Sequence, residues 1–302
     1  MITLAKDGMR PDLERIWRMC FPEDRDEVIR YFFERKYNPN SCIVYIDPMT
    51  GRPASMVHVY EAYITDDSEI VPALYIHTAA TRPDMRGRGI MTSMLNAVAQ
   101  YAQAQKCKYI IVMPRGSALF KFFEKRGFYR CFASRVMNLT RKDMETLAEY
   151  RGREGMTKRV VLGDSELYHA RRDALIDHEG YVSWGKKAVA YSMGSIEAGG
   201  GEIVATTEDY NPAYAFCRRE GNTTYISEFI AQHEMSAQLC RVILDAFDTD
   251  IYSITVPVGD EFFAPYGDVA DFGMIKALNG RKPTNLLTLS GRHRPYIGPA
   301  HR

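Results

Sequence analysis

The chain has 302 residues, 46% hydrophobic and 25% charged, the proportions of a globular protein long enough for two domains. A formal net charge of +1 at pH 7 gives no global attraction to nucleic acid or to an anionic membrane surface. No apolar run approaches the ~20 residues of a membrane span, and Lys6 and Asp7 break any leader-like start, so a cytoplasmic protein is expected.

In chain order, residues 11–20 carry helical spacing (Leu13, Ile16, Trp17) with Asp12 in the first turn, and residues 24–37 form a second helix with Tyr31, Phe32 and Phe33 on one face. A strand at 41–47, a turn at Pro48-Met49-Thr50-Gly51 and a returning strand at 54–65 read as a hairpin. Asp66-Asp67 turns the chain into a third strand that runs through Tyr75 to Ala80. Residues 91–105 are an amphipathic helix, 109–113 a short buried strand, 117–126 a helix closed by Gly127, and 128–139 a strand. The charge-rich stretch 141–155 leads into a connector at 156–159. Beyond it we expect a helix at 165–176, a Gly-rich break at 194–201, strands at 213–218 and 223–230, a helix at 236–247, and strands at 251–258 and 272–278. Six cysteines (Cys20, Cys42, Cys107, Cys131, Cys217, Cys240) are scattered without a CxxC pair; buried free thiols are expected, and no metal site.

The most informative segment is Thr81-Arg82-Pro83-Asp84-Met85-Arg86-Gly87-Arg88-Gly89-Ile90. It joins a strand to a helix, and two glycines two apart allow a tight turn and close approach of a ligand to the backbone. The unpaired N–H groups and positive dipole end of the following helix favour an anion, and Arg86 and Arg88 add charge beside it. This is the physics of a pyrophosphate cradle. No Gly-Lys-Ser/Thr completes a P-loop, and Thr92 stands where a dinucleotide fold has its third glycine.

The segment resembles motif A of the GNAT (Gcn5-related) N-acyltransferases, Arg/Gln-x-x-Gly-x-Gly/Ala, with Met91 in place of the last small residue. Residues 118–128, Ala-Leu-Phe-Lys-Phe-Phe-Glu-Lys-Arg-Gly-Phe, resemble the family's motif B. The resemblance covers about residues 1–140. It implies an α/β (α+β) fold, with a mixed, mostly antiparallel sheet flanked by helices. It also implies acetyl-CoA as co-substrate, its pantetheine arm on the backbone at Ala79, Ala80 and Thr81. The pyrophosphate then falls to Arg86, Gly87, Arg88, Gly89, Ile90 and Met91, with Thr92, Ser117 and Phe120 beside it. The acceptor is expected to be a small-molecule amine or a peptide N-terminus.

Catalytic side chains are harder to place. The family's glutamate base falls at Tyr75, and the tyrosine that protonates the leaving thiolate falls at Phe123, which has no proton to give. His77, on the face of Tyr75 by period-two alternation, is the nearest group titrating around neutrality and the first candidate base. Tyr75 and Glu61 are the others. The departures keep a rival open, a non-catalytic acyl-CoA-binding or regulatory module. An aminoacyl-tRNA-dependent enzyme is disfavoured by the intact cradle.

The strand–helix–strand order after residue 220 echoes the first half, but Ala231-Gln232-His233-Glu234-Met235 replaces the cradle, without glycine and with an acid at the helix start. Residues 1–145 therefore read as a GNAT domain with the CoA site, and 156–302 as a second, degenerate GNAT-like domain that shapes the acceptor site or a homo-oligomer interface. The basic tail 291–298 reads as an extended surface segment. A carboxylate at Arg302 reaching the active site, as in Eis-type relatives, is the remaining expectation.

Overall fold

The computed structural model describes residues 1–149, 158–175, 178–208 and 211–298. The connector residues 156 and 157, the end of the 165–176 helix and the tail carboxylate of Arg302 lie outside these. In chain order the elements are β1 (Ile2–Leu4), α1 (Arg10–Cys20), α2 (Asp26–Arg35), β2 (Cys42–Ile46), β3 (Pro53–Asp66), β4 (Glu69–Thr81), α3 (Ile90–Ala104), β5 (Tyr109–Val112), α4 (Ser117–Glu124) and β6 (Tyr129–Thr140). They continue with α5 (Arg141–Glu149), β7 (Arg159–Val160), α6 (Asp164–Leu175), β8 (Val182–Ser183), α7 (Lys186–Ala198), β9 (Glu202–Glu208) and β10 (Asn211–Glu220). Last come β11 (Thr223–Ile230), α8 (His233–Ala246), β12 (Ile251–Pro257), β13 (Asp268–Ala277) and α9 (Thr284–Leu287). The strands form mixed, mostly antiparallel pairings flanked by helices, the expected class.

Two compact units divide the chain, Met1–Cys131 with Phe272–Leu287, and Phe132–Asp271 with Thr288–Arg302. Each unit draws on two segments, whereas the expected domains at 1–145 and 156–302 were continuous.

In the first unit β1, β2, β3 and β4 pair antiparallel in sequence order, β5 joins parallel to β4, and residues 274–277 of β13 pair antiparallel with the far side of β5. The parallel step is made by α3, a crossover helix that packs on one sheet face. Val57, Val59, Leu74 and Ile76 of that face form one core with Met94 and Val98 of α3, Phe120 and Phe123 of α4, and Met274 of β13. The returning segment is fastened there: Lys276 Nζ donates to the Arg126 carbonyl at 2.9 Å, and Asn285 Nδ2 to Asp67 Oδ2 at 2.6 Å.

The second unit repeats the plan. β9, β10 and β11 pair antiparallel, β12 pairs parallel with β11, and α8 makes the crossover, burying Leu239, Val242 and Ile243 in a core with Phe229, Tyr252 and Phe263. Two sequence expectations change here. The Gly-rich break expected from 194 is helical as far as Ala198, with α7 running through Gly194 and ending before Gly199 and Gly200, and β9 follows at once. An interior glycine lowers helix propensity by about 1 kcal/mol, and the buried face of Ala188, Val189, Tyr191 and Ser195 outweighs it.

The tail at 291–298 is not an extended surface segment throughout. Pro295 to Gly298 are buried, the Ala133 N–H donates to the Pro295 carbonyl at 3.0 Å, and the Trp184 indole donates to the Ile297 carbonyl at 2.8 Å. Basic residues and Gly/Pro punctuation hid two large side chains, Tyr296 and Ile297, with 4% and 0% exposure.

All six cysteines are free, with Cys42, Cys131, Cys217 and Cys240 buried and Cys20 and Cys107 half-buried. Among the described residues no helix is long and apolar enough to cross a membrane.

Candidate active site

The site starts where β4 leaves β5. Their pairing runs from Ala73↔Tyr109 to Ile76↔Val112, whereas β3 stays paired with β4 as far as Ser55↔Thr81. Residues 77–81 of β4 thus have a strand on one side and an open edge on the other. A bulge marks the point of departure: His58 pairs with Thr78 and Val59 with Ile76, leaving His77 as the extra residue. The bulge resets the alternation. Leu74 and Ile76 face the α3 core, Tyr75 and His77 the opposite face, and then Ala79 packs on the α3 core. Strict period-two reading from Tyr75 puts Ala79 on the wrong face.

The open edge is not uniform. The Arg82 N–H donates to the Ala54 carbonyl of the β3 segment, so the backbone groups of Ala80 point toward β3 and those of Ala79 and Thr81 toward the open side. The Ala80 carbonyl accepts from Ser55 Oγ at 2.8 Å. The Thr81 carbonyl accepts from Arg86 Nε at 3.1 Å and Cys20 Sγ at 3.3 Å, and the Thr81 hydroxyl meets Ser55 Oγ. Of the three residues expected to bond an extended ligand arm, Ala79 and Thr81 face the gap and Ala80 does not.

The cradle follows. A single 3₁₀ turn, Pro83–Met85, is anchored by buried Met85. Gly87 and Gly89 take φ of 77° and 74°, and a Cβ on either would meet nothing within 4 Å. The glycines are needed for backbone conformation, not for space. The first α-helical bond of α3 is Ser93 N–H to the Gly89 carbonyl at 3.1 Å, so the amides of Ile90, Met91 and Thr92 precede the internal ladder. Gly89 supplies no side-chain cap, and no acid stands in the first turn. Ile90 is buried and Met91 packs on the core, so both present only backbone to a ligand. That also explains why Met91 is tolerated where the family has Gly or Ala.

Charge around this helix end is positive. Arg86 is held by Thr81, Arg88 Nη2 donates to the Asp84 carbonyl at 3.2 Å, and Arg82 pairs with Asp84. Arg126, which sequence reasoning passed over, donates from Nε and Nη2 to Thr92 Oγ1 at 3.1 and 2.6 Å and lies 3.5 Å over the Phe122 ring. Burial pulls its pKa below the usual arginine range. Its only sequence signal was a cation beside the helix-closing Gly127. Thr92 Oγ1 thus accepts from Arg126 and keeps its own proton for a ligand oxygen. Ser117 is exposed at the start of α4, next to Gly116 at φ 82°. Phe120 instead belongs to the core, under the Arg130 guanidinium at 4.7 Å. Phe123 is also buried, edge-on to Phe122 and Phe128.

On the other sheet face an aromatic basket surrounds His77. Ring centroids of Phe32, Trp17, Tyr60 and Tyr75 lie 5.3, 5.8, 5.9 and 6.3 Å from it. Phe32 of α2 faces this region, and His77 and Tyr75 are brought together. Glu61 is not. It pairs with Leu74 across the strands, on the sheet face away from His77, and accepts from the Tyr63 hydroxyl. Lys36, missed in the sequence, has its Nζ 4.4 Å over the Tyr60 ring, and burial lowers its pKa to about 8.

His58, fully buried against Phe32 at 4.9 Å, has its pKa pulled to about 3 by burial and by neighbouring His77. The unfolded chain takes up that proton near the ordinary value of about 6.5. Between these limits the unfolded state binds more protons, so stability is full above pH ~6.5 and falls as pH drops toward 3. Urea midpoints measured from pH 7 to 4 should fall less steeply in His58→Phe than in the parent; equal slopes would contradict this assignment.

Among the described residues no group of His, Cys, Asp and Glu is arranged to hold a metal ion. Residues 2–131 match the acetyltransferase (GNAT) domain family. This segment is a GNAT acetyltransferase domain. Comparison with curated proteins finds no match. Solved structures share the fold across most of the chain. A GCN5-related N-acetyltransferase from Anabaena variabilis has a TM-score of 0.73 at 13% identity, covering 92% of this chain and 73% of that one. Eis1 from Mycobacterium abscessus gives 0.67 at 10%, with 92% and 73% covered. N-myristoyltransferase of Saccharomyces cerevisiae with bound myristoyl-CoA gives 0.58 at 7%, with 92% and 78% covered. The split of β4 from β5 and the cradle on α3 lie within the matched segment of the GNAT domain.

Proposed function

We propose that the chain is an acyl-CoA-dependent N-acyltransferase that moves an acetyl group from acetyl-CoA to a primary amine. The observation that carries this reading is the uncapped α3 terminus behind two positive-φ glycines, flanked by Arg86, Arg88 and Arg126 and continuous with the open edge of β4. The residues present fit a pyrophosphate: amides of residues 90–92 and the Thr92 hydroxyl to donate, and guanidinium charge to neutralise. Acetyl-CoA supplies a thioester carbonyl already activated toward amines. Ala79 and Thr81 align the arm that carries it. A free alkylamine, with pKa near 10.4, must lose a proton before it attacks. His77, at the bulge where the open edge begins, is the group proposed to take that proton, and the surrounding rings cover part of it. Tyr75 beside it is proposed to orient the acceptor or to protonate the leaving sulfur. The acceptor is proposed to be a small amine or a peptide N-terminus.

The rival reading, an acyl-CoA-binding module without turnover, rests on Phe123 and Tyr75 at the family's acid and base positions. Release of free thiol from acetyl-CoA across a panel of amines separates the two, and turnover above the uncatalysed rate eliminates the rival. With an active amine in hand, His77→Ala should lower turnover ~100-fold or more, leave CoA affinity unchanged and remove the low-pH limb of the rate profile. Persistence of that limb would move the role to Tyr75, Lys36 or solvent.

The second unit is proposed to be a GNAT-like domain that has lost its ligand. β11 pairs with β12 only from Thr223↔Ile251 to Ile226↔Ile254, and Ser227 is bulged against β10, as His77 is against β3. At the matching helix start Gln232 takes φ of −67° and Glu234 sits in the first turn, which disfavours a phosphate.

A further inference from the structure

Lys36 closes the C-terminus of α2, and its Nζ stands 4.4 Å over the centre of the Tyr60 ring. Tyr60 in turn lies opposite Tyr75 across β3 and β4, with its ring 5.9 Å from that of His77. The two distances, 4.4 and 5.9 Å, bound the separation of the amine from the His77 ring at about 10 Å. The amine is carried on a flexible four-carbon stem. A helix C-terminus and an aromatic face both favour the ammonium form, yet burial prevails and brings its pKa to about 8. About a tenth of Lys36 is then neutral at pH 7, against roughly one part in 2,500 for a lysine near 10.4.

On the acyltransferase reading proposed above, on which this inference rests, the strand pairing fixes where a bound thioester ends. β4 and β5 are paired only as far as Ile76↔Val112. An arm that leaves the cradle at residues 86–92 and runs back along Thr81 and Ala79 therefore stops beside His77, where the gap closes. Its reactive carbonyl is brought to the edge of the aromatic basket that holds Lys36. Lys108, at the other end of the β4–β5 pairing, is a contrast: its side chain is 44% exposed and its ammonium is paired with Asp66.

We propose that Lys36 is an acylation site of the chain itself, taking the acetyl group from bound acetyl-CoA when no external acceptor is present. The neutral Nζ attacks the thioester carbonyl; a C–N bond forms and the C–S bond breaks. The nitrogen gives up one proton, to His77 or water, and the departing thiolate takes up one, so the products are acetyl-lysine and free CoA. The amide is uncharged, so the cation–π contact with Tyr60 is not remade afterwards.

The test incubates the full chain with acetyl-CoA in amine-free buffer, followed by intact mass and peptide mapping, with acetyl-CoA binding measured by calorimetry on the same preparation. One acetyl group should be gained per chain, on Lys36, and Lys36→Arg should not gain it. The rate per chain should saturate with acetyl-CoA and be independent of protein concentration, as for a reaction within one complex. It should exceed labelling of Lys108 roughly hundredfold, as the neutral fraction and the proximity require. Excess desulfo-CoA, which fills the cradle without offering a thioester, should suppress the label in the unaltered chain, so the result does not depend on a variant folding. Binding of acetyl-CoA with no label on Lys36 would overturn the inference and leave the acyltransferase reading in place. So would labelling equal to that of Lys108, a rate per chain that rises with protein concentration, or a label undiminished by desulfo-CoA. No binding of acetyl-CoA at all would overturn both.

Discussion

Replacing Gly87 and Gly89 together by valine is expected to abolish acetyl-CoA binding while leaving the chain folded. Both glycines adopt left-handed backbone, which a β-branched residue enters only with strain. The loop would relax to negative φ and turn the amides at the head of α3 away from the pyrophosphate. Charge-assisted bonds of this kind are worth about 1.5–3 kcal/mol each. Losing two weakens binding by roughly two to four orders of magnitude. Neither position touches the core, so the melting temperature should stay close to that of the parent. Calorimetric titration reads affinity and stoichiometry together. The parent should bind one equivalent per chain, because Gln232 and Glu234 give α8 no cradle. Undiminished affinity in the double variant, or no affinity in the parent, would refute the GNAT-site reading. Two equivalents per chain would refute the loss of the second site.

Arg171→Met is expected to produce the largest loss of stability. Arg171 and Glu228 are 2% and 1% exposed, and their contact is 3.1 Å. Tyr214 donates to the second carboxylate oxygen at 2.9 Å, and the guanidinium also contacts the Tyr181 hydroxyl and the Ile297 carbonyl. Removing the cation leaves a buried carboxylate without its partner, which costs about 3–5 kcal/mol. For a domain of this size that lowers the melting temperature by roughly 6–20 °C. Arg171→Met combined with Glu228→Leu should regain most of the loss, since an apolar pair of similar volume replaces a desolvated ion pair at little net cost. Gly298→Ala probes the same place from the tail. Its Cβ would lie 2.1 Å from Arg171 Nη2, at a φ of 68°. A single Arg171 variant melting within a degree of the parent would show that the network contributes little.

What was legible in the sequence was what local chemistry dictates. The cradle could be read because its glycines, arginines and helix start are neighbours in the chain. The face shared by Tyr75 and His77 followed from alternation, which holds up to the bulge. Past His77 the alternation fails, because an extra residue in one strand leaves no compositional trace and exists only relative to β3. Arg126 was missed for a similar reason: it reaches Thr92 across 34 positions, and a cation near a helix end is usually only solvated. The facing of Glu61 depended on a register that only the pairing with Leu74 could settle. The buried tail was misread because its charge dominated its composition, while Tyr296 and Ile297 decide its placement. The return of residues 272–287 to the first unit has no local signature, since any apolar strand of that length could have sat elsewhere.

That return has a consequence for how the protein is made. A ribosome adds ~5–20 residues per second and domains ordinarily fold as they emerge. Here the GNAT domain lacks the outer neighbour of β5 and the core side chain Met274 until nine-tenths of the chain has been translated. Through that interval β5 offers an unpaired edge, the kind of surface that recruits strands from other nascent chains. Chaperone demand should therefore track the synthesis of the C-terminal tenth, and an expression clone cut at residue 145 should yield insoluble protein, however complete its motifs.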